Sequence, residues 1–263
     1  MDCEILLHDV NRSGKEILEA MYVAGEKSGI NCKISRQYTA TTPLLMTYGL
    51  GHPDRMHWTN AHIAKGGKLI GWDLGYWNRD KMMRLTIGAD HPWRLIKDMP
   101  SYRFDESGLK ITDDHYNPQG HILLIGMGKK SRSQFSYHGQ QWELKKLAEI
   151  KKAYPGREIF YRPKKPESFA IKQKNGGLKD ALNQCRLVVC RHSNIAIDAC
   201  LLGIPVYCID GAGRYLYSDD ISNPANPDRQ ERLRFLQNLA WWQYSPDEAS
   251  LAWEFIKGVL NEN

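Results

Sequence analysis

Short apolar runs alternate with amphipathic stretches along the first third of the chain. Residues 3–7 form an apolar run that predicts a buried strand. A polar loop with a glycine follows, and residues 15–28 then have the period of a helix that ends at Gly29. Strands are predicted at 32–35, 43–48 and 68–73, and a second helix at 54–65. This alternation favours a parallel sheet with helices on both faces.

The same rhythm resumes in the second half of the chain. The pattern weakens between residues 80 and 119, so we predict a domain boundary near the end of that region. An apolar strand over 121–125 then runs into two glycines. After it we expect a helix at 140–153, strands at 158–162, 187–190 and 205–210, short helices at 178–184 and 194–202, and two tail helices at 228–242 and 246–260. The second half is therefore predicted to be a second doubly wound unit.

Composition limits the class of protein without identifying it. Hydrophobic residues make up 42% of the 263 residues and charged residues 25%, as is usual for a globular protein. The formal charge of +6 suits a polyanionic partner without requiring one. Six cysteines without a CxxC pair predict reduced thiols. The polar residues from His8 onward predict no signal peptide, and no run reaches the roughly 20 apolar residues of a membrane span, so we expect a cytoplasmic protein.

The loop after the strand at 187–190 is the best candidate for binding chemistry. In open parallel sheets, ligands collect beyond the carboxyl ends of the strands. The loop Arg191-His192-Ser193-Asn194 stands between that strand and a helix, where free N–H groups and the positive end of the helix dipole can hold a phosphate. The alternative is that Ser193 only caps the helix.

The segment that follows this loop carries a family resemblance. Residues 193–206 contain Asp198 one turn into the helix and a Gly203-Ile204-Pro205 turn before the next strand. This segment resembles the donor-binding segment of GT-B glycosyltransferases, most closely the branch of capsule-polysaccharide, Kdo and glycerophosphotransferase-like enzymes. The resemblance implies that the loop holds a donor diphosphate and that Asp198 holds the ribose hydroxyls, although many relatives have Glu at that position.

Two further segments agree with this resemblance. Residues 161–166 resemble the Arg-Pro-His/Lys-Pro turn of the branch, which would place two cations near a diphosphate, although a solvated basic loop is the alternative. Residues 126–131 form a glycine-containing loop that lets a ligand approach the backbone, but they lack the spacing of a P-loop. The predicted donor-binding residues are Gly126, Gly128, Lys129, Arg162, Lys164, His192, Ser193, Asn194 and Asp198.

The first half resembles the acceptor domain of the same branch in its glycine-bearing strand ends, 47–51 and 67–79. Asp73 is the predicted general base for an acceptor hydroxyl, with Asp90, His91 and His52 as rivals. A retaining enzyme would need no such base, and Asp73 would then position a ligand. The predicted acceptor-side residues are Asn11, Gly14, Gly49, Gly51, Trp72, Tyr76, Trp77 and His91.

The resemblance implies a GT-B architecture of two Rossmann-like domains. We expect an acceptor-side domain over 1–118, a nucleotide-sugar domain over 119–243, and a helix over 244–263 that crosses back to the first domain. The implied cofactor is a nucleotide sugar, with a UDP-sugar expected. No obligatory metal is expected, because no DxD motif lies in a strand context and the Cys and His spacing does not suit zinc.

The sequence indicates the class of acceptor less clearly than the class of donor. The basic charge and a set of aromatic residues expected to be exposed favour duplex DNA with a hydroxymethylated pyrimidine, as in phage enzymes that act in the host cytoplasm. These residues are Trp58, Trp72, Tyr76, Trp77, Trp93 and Tyr102. The aromatic residues could instead be core. The alternative acceptor is an envelope glycan or a polyol phosphate. Other classes left open are a nucleotide-binding module without transfer activity and a sugar-nucleotide epimerase.

Overall fold

The computed structural model describes residues 1–88, 98–174 and 176–261. The chain forms two compact units: unit 1 comprises Met1–Lys97 with Leu239–Asn263, and unit 2 comprises Asp98–Asn238. Unit 2 thus begins before the predicted boundary at 118, because residues near position 112 bond to later parts of unit 2. The Thr112 N–H donates to the Leu201 carbonyl over 2.8 Å, and Asp113 forms an ion pair with Arg232.

The secondary structure follows the predicted alternation closely. In chain order, the elements are β1 (Asp2–Leu6), α1 (Arg12–Lys27), β2 (Asn31–Ser35), β3 (Leu44–Tyr48), α2 (Pro53–Ala64), β4 (Lys68–Leu74), β5 (Met83–Ile87), α3 (Tyr102–Asp105), β6 (Tyr116–Ile125), α4 (Lys129–Gln134), α5 (Gln141–Ala153), β7 (Ile159–Arg162), α6 (Leu178–Leu182), β8 (Cys185–Cys190), α7 (Ile195–Leu201), β9 (Val206–Cys208), α8 (Arg229–Leu239), β10 (Gln243–Tyr244) and α9 (Ala249–Asn261).

Unit 1 is built on a six-stranded sheet in the order β10-β5-β4-β3-β1-β2. Strands β1 to β4 are parallel, whereas β5 and β10 pair in antiparallel fashion at one edge. Periodicity did not predict these edge strands, because β5 lies in the weakly patterned region and β10 has only two residues. The chain passes from β1 to β2 on one side and returns to β3 on the other.

The C-terminal helix belongs to unit 1, where it packs on α1. The indole N–H of Trp253 in α9 donates to the Met21 carbonyl over 2.8 Å. Gly25 of α1 permits this approach, since a Cβ there would lie 2.5 Å from the Cys32 sulfur and 3.1 Å from the Trp253 nitrogen. This is the helix for which the resemblance implied a return to the first half of the chain.

Unit 2 is built on a parallel four-stranded sheet in the order β7-β6-β8-β9. Apolar residues of β6 and β8 are fully buried against Trp142 of α5 and Tyr161 of β7. The chain again leaves a central strand, β6, for β7 on one side and returns to β8 on the other. Both units are therefore α/β with a parallel sheet or a mostly parallel one, which confirms the predicted α/β class and is consistent with Rossmann-like domains.

Two general features of the described residues complete the fold. All six cysteines are buried free thiols. None of the helices in the described ranges is long and apolar enough to cross a membrane.

Candidate functional site

Two loops of unit 2 meet where the strand order reverses. We call this place the unit 2 crevice: residues 126–131 after β6 and residues 191–194 after β8. The hydroxyl of Ser131 lies 2.9 Å from His192 Nε2, so a hydrogen bond joins the two loops. In parallel α/β sheets, a crevice at such a reversal is where ligands bind. The structure thus brings Gly126, Gly128 and Lys129 into the same crevice as His192, Ser193 and Asn194.

Arg191 is a fixed cation at this crevice. Its Nη2 atom lies 2.8 Å from a carboxylate oxygen of Asp210, which follows β9. Its guanidinium carbon lies 3.9 Å from the centre of the Phe135 ring, and Nη1 donates to the Tyr137 hydroxyl over 3.3 Å. Stacking of this kind stabilises a charged guanidinium and restricts its rotation. Sequence reasoning missed Phe135, Tyr137 and Asp210, which lie far from residue 191 along the chain.

The helix after the crevice is short. Helix α7 has seven residues and begins at Ile195, one residue later than predicted. The hydroxyl of Ser193 accepts a hydrogen bond from the Ile195 N–H over 3.4 Å, and the Ser193 carbonyl accepts from Ala196 over 3.0 Å. Ser193 therefore stabilises the turn before the helix, whereas the N-cap residue of α7 is Asn194. Asp198 stands in the first turn, as the sequence placed it.

The two glycines after β6 differ in their surroundings. A Cβ at Gly126 would collide with the hydroxyl of Tyr161, so this glycine is required by packing. Gly128 immediately precedes α4, and a Cβ built on it would meet no atom within 4 Å. The space that a side chain would fill at Gly128 is therefore open. The exposed Lys129 begins α4 beside it.

A network of buried charged side chains holds the glycine-containing loop after β6 in place. Arg132 lies 2.6 Å from Glu143, whose side chain is fully buried, and 2.8 Å from Glu167. Glu143 also accepts the Met127 N–H over 2.8 Å. The hydrogen bond from Arg132 lowers the pKa of Glu167, whereas burial, followed by the hydrogen bond to Glu167, raises the pKa of Tyr161. This network fixes the loop after β6 to the segment after β7.

The two predicted cations after β7 are not next to the unit 2 crevice in the order of the strands. Because β7 and β8 flank β6 on opposite sides, Arg162 and Lys164 follow a strand that does not line the reversal. Arg162 donates from Nη1 to the carbonyls of Lys174 and Gly176 over 3.3 and 3.1 Å, so it also holds its own loop. Lys164 is exposed.

In unit 1, Asp73 occupies the end of β4 in an ion pair. One carboxylate oxygen lies 3.0 Å from Arg84 on the neighbouring strand β5, and the other accepts the Leu74 N–H over 2.8 Å. The side chain is 39% exposed. Asp73 is thus within reach of a ligand, but both its oxygens are already engaged.

The aromatic residues near Asp73 do not form an exposed platform. Trp72 and Tyr76 are at most 1% exposed, and Trp77 is 6% exposed. The expectation that these rings face solvent is wrong, because the edge strands β5 and β10 extend the sheet beside β4 and enclose them. The Trp72 ring lies edge-on to Tyr244 of β10, with ring centres 6.4 Å apart.

The remaining acceptor-side residues lie near the ends of β1 and β3. Asn11 caps α1 by accepting the Gly14 N–H over 2.9 Å. Gly14 itself packs against β3, where a Cβ would lie 2.6 Å from the Tyr48 ring. Gly49 adopts a left-handed backbone with φ of +70°. The other residues predicted here are Gly51 and His52 in the same loop after β3, and His91, Asp90 and Trp93, which lie outside the described residues.

Within the described residues, no group of three or more His, Cys, Asp or Glu side chains is arranged to hold a metal ion.

Comparison with solved structures supports the fold. The chain is similar to the beta Kdo 2,7 transferase of Thermosulfurimonas dismutans KpsC, with 14% identity, a TM-score of 0.56, and coverage of 95% of this chain and 98% of that one. It is also similar to the beta Kdo 2,4 transferase of the same protein, with 8% identity, a TM-score of 0.51, and coverage of 95% and 94%. No protein-family model and no curated protein matches the sequence. At this identity, the likeness shows a shared fold.

Proposed function

We propose that this protein is a glycosyltransferase that moves a sugar from a nucleotide-linked donor to a hydroxyl group of a glycan. The observation that carries the proposal is the unit 2 crevice, where cationic and hydrogen-bonding side chains from two loops meet at a strand-order reversal. The solved structures with a similar fold are sugar transferases, which agrees with this interpretation.

The donor diphosphate would bind in the unit 2 crevice. Arg191 is a cation already fixed by stacking and by Asp210, so little entropy is lost when it meets a phosphate. Lys129 adds a second cation, and the open space at Gly128 allows a phosphate oxygen to approach the backbone. Asp198 would hold the ribose hydroxyls. A UDP-sugar stays a prediction, as do the roles of Arg162 and Lys164.

An envelope glycan is the acceptor that the comparisons favour, since the similar structures belong to Kdo transferases. The DNA acceptor stays a prediction. Exposed aromatic residues were part of the case for it, and Trp72, Tyr76 and Trp77 are buried. Product analysis separates the two: labelled sugar is recovered either on saccharide acceptors or on duplex DNA that contains hydroxymethylated pyrimidines.

Thermal stabilisation by nucleotides tests the donor site directly. UDP, GDP and CMP, with their sugar conjugates, are screened for a rise in the unfolding temperature. The double variant Ser193→Ala, Asp198→Ala should lose this rise while keeping its fold, because it removes two groups that face the ligand. Asp219→Ala, an exposed carboxylate elsewhere in unit 2, is the matched control. Unchanged stabilisation in the double variant would defeat the assignment.

The product of the reaction separates transfer from the other classes. Nucleotide binding without any sugar product indicates a binding module, and an isomerised donor indicates an epimerase. For Asp73 as general base, Asp73→Asn should keep donor affinity and lose transfer. Full activity in that variant would reject the role.

A further inference from the structure

Unit 1 has a crevice of its own where the order of its strands reverses. We call it the unit 1 crevice: residues 7–11 after β1, residues 49–52 after β3, and the first turn of α2. Strands β2 and β3 flank β1 on opposite sides, so this place corresponds in topology to the unit 2 crevice. Arg84, the partner of Asp73, lies on β5, which is two strands away from β3 in the sheet. The residues of the unit 1 crevice carry a different set of charges.

Two histidine–aspartate pairs cross this crevice. His52 Nε2, after β3, lies 3.2 Å from Oδ2 of Asp9, after β1. His8 Nε2, after β1, lies 3.3 Å from Oδ2 of Asp54, in the first turn of α2. The same Asp54 oxygen lies 4.0 Å from His52 Nδ1, so the two pairs are adjacent. The loops are thus joined through carboxylates and imidazoles, whereas the unit 2 crevice is joined through a serine and a histidine.

The carboxylates of these pairs face outward and the imidazoles lie behind them. The side chain of Asp9 is 73% exposed and that of Asp54 is 58% exposed, against 21% for His52 and 30% for His8. Within the described residues, no hydrogen bond or ion pair engages Oδ1 of Asp9. A ligand that reaches this crevice therefore meets a carboxylate oxygen that a histidine holds in place from the inner side.

The backbone of Asp9 is held in an unusual conformation by a buried arginine. Asp9 has a left-handed φ of +46°, which is uncommon for a residue other than glycine. Arg55 is 4% exposed and donates to the carbonyls of His8, Asp9 and Gly49 over 2.5, 3.0 and 3.0 Å. Strained conformations that are held this firmly are concentrated at functional sites. Arg55 therefore fixes the backbone that carries the Asp9 carboxylate.

We propose that the unit 1 crevice binds and activates the acceptor hydroxyl, with Asp9 as the catalytic base and His52 as its positioning residue. This inference rests on the proposed transferase function. The acceptor O–H proton passes to the Asp9 carboxylate, the acceptor oxygen forms the bond to the anomeric carbon, and the donor phosphate leaves with the electron pair of the broken C–O bond. The ligand class is a polyhydroxylated sugar, whose hydroxyls donate to Asp9 and Asp54.

Asp9 is better suited to this role than Asp73 because of its partners. Both oxygens of Asp73 are engaged, one by the Arg84 guanidinium and one by a backbone N–H. Asp9 has an oxygen available to a hydroxyl, and it is the more exposed of the two carboxylates. Transfer assays on Asp9→Asn and Asp73→Asn compare the two residues directly.

Asp9→Asn should lower kcat for transfer by about a hundredfold to ten-thousandfold, the usual contribution of a general base. The KM for the donor and the nucleotide-induced thermal shift should stay unchanged, because the donor residues lie in unit 2. The matched control is Asp80→Asn, another exposed carboxylate of unit 1. Wild-type kcat in Asp9→Asn would overturn the proposal.

The positioning role of His52 has its own pair of variants. His52→Gln can still donate an N–H to Asp9, whereas His52→Leu cannot. We expect His52→Gln to recover at least tenfold more kcat than His52→Leu, with the same KM for the donor. Equal loss of kcat in the two variants, tracking their unfolding temperatures, would show that His52 only cross-links the loops.

Sugar binding is measured independently of transfer. Histidine side chains labelled with ¹⁵N are followed by NMR while methyl glucopyranosides and galactopyranosides are added. We expect shifts of the His8 and His52 signals in the wild type that are lost in Asp9→Asn. If no donor supports transfer, the proposed function fails, yet these shifts would still establish a sugar site in unit 1. Absence of both transfer and shifts would overturn this inference as well.

Discussion

The two crevices share a strand order but carry opposite chemistry. In each unit, the chain leaves a central strand for one neighbour and returns to the other side, which opens a crevice at the carboxyl ends. In unit 2 that crevice presents Arg191 and Lys129, whereas in unit 1 it presents Asp9 and Asp54. Topology therefore decides where a ligand can bind, and the residues after the strands decide which ligand it is.

The two crevices are also supported differently. Arg132 supports the unit 2 loops through the buried carboxylate of Glu143, so two opposite charges compensate each other. Arg55 supports the unit 1 loops through three backbone carbonyls, which are neutral. In addition, burial lowers the pKa of Arg55, while the hydrogen bond to Glu167 raises the pKa of Arg132. Removal of these two arginines should therefore have unequal consequences.

The largest effect is expected for Arg132→Ala. The change leaves the fully buried Glu143 without its counter-ion, so the unfolding free energy should fall by about 3–5 kcal/mol. Urea unfolding followed by circular dichroism measures this difference. Lys130→Ala, an exposed neighbour on α4, is the control and should change stability little. Similar values for the two variants would mean that the network does not support unit 2.

A smaller effect is expected for Arg55→Ala. This variant leaves backbone carbonyls without a donor, but it leaves no buried charge without a counter-ion. The unfolding free energy should therefore fall by about 2–3 kcal/mol. The control is Arg12→Ala, whose side chain is 92% exposed and pairs only with Glu16. The same urea titration applies. A loss larger than that of Arg132→Ala would reverse the comparison between the two kinds of support.

The two glycines after β6 separate packing from ligand binding. Gly126→Ala places a methyl group against the Tyr161 hydroxyl and should cost about 1–3 kcal/mol of unfolding free energy. Gly128→Ala meets open space and should stay within about 0.5 kcal/mol of the wild type. Calorimetric titration with nucleotides should nevertheless show weaker binding to Gly128→Ala. Unimpaired binding would argue that no phosphate approaches that backbone.

The smallest effect concerns acid stability in unit 2. Because Arg132 lowers the pKa of Glu167 below its usual value of 4.5, this carboxylate stabilises the fold above pH 4.5, and that contribution is lost as the pH falls through the lower folded pKa. Glu167 is 26% exposed, so solvent screening should limit the contribution to about 1 kcal/mol or less. Glu167→Gln should flatten the pH dependence of urea unfolding below pH 4.5, whereas Glu158→Gln, an exposed control, should not.

The strand–helix pattern could be predicted because it depends on local periodicity. The strands β1, β3, β4, β7 and β8 are apolar runs whose burial shows in the sequence, and the predicted positions agree with the structure to within a few residues. The edge strand β10 could not be predicted, since a strand of two residues shows no periodicity in the sequence. It forms only by pairing with β5. For the same reason, the burial of Trp72 beside that edge was missed.

The candidate sites show the same division. His192, Ser193 and Asn194 could be assigned because a loop between a strand and a helix is a local signal. Phe135, Tyr137 and Asp210, which fix Arg191, come from separate loops and leave no signature near position 191. The pair of Asp9 and His52 is likewise divided between two loops, so their 3.2 Å contact exists only once the strands are ordered.

The sequence by itself determined the α/β class, the order of most elements and the loops at which strands end, because these depend on residues that are neighbours along the chain. Only the tertiary structure decided which residues of α1 the C-terminal helix contacts and which side chains join the loops in each crevice. Only the tertiary structure also separated Asp73, held by Arg84, from the exposed Asp9. The reason is physical: hydrogen bonds and ion pairs depend on distances of a few ångströms, and folding sets those distances between residues that are far apart in the sequence.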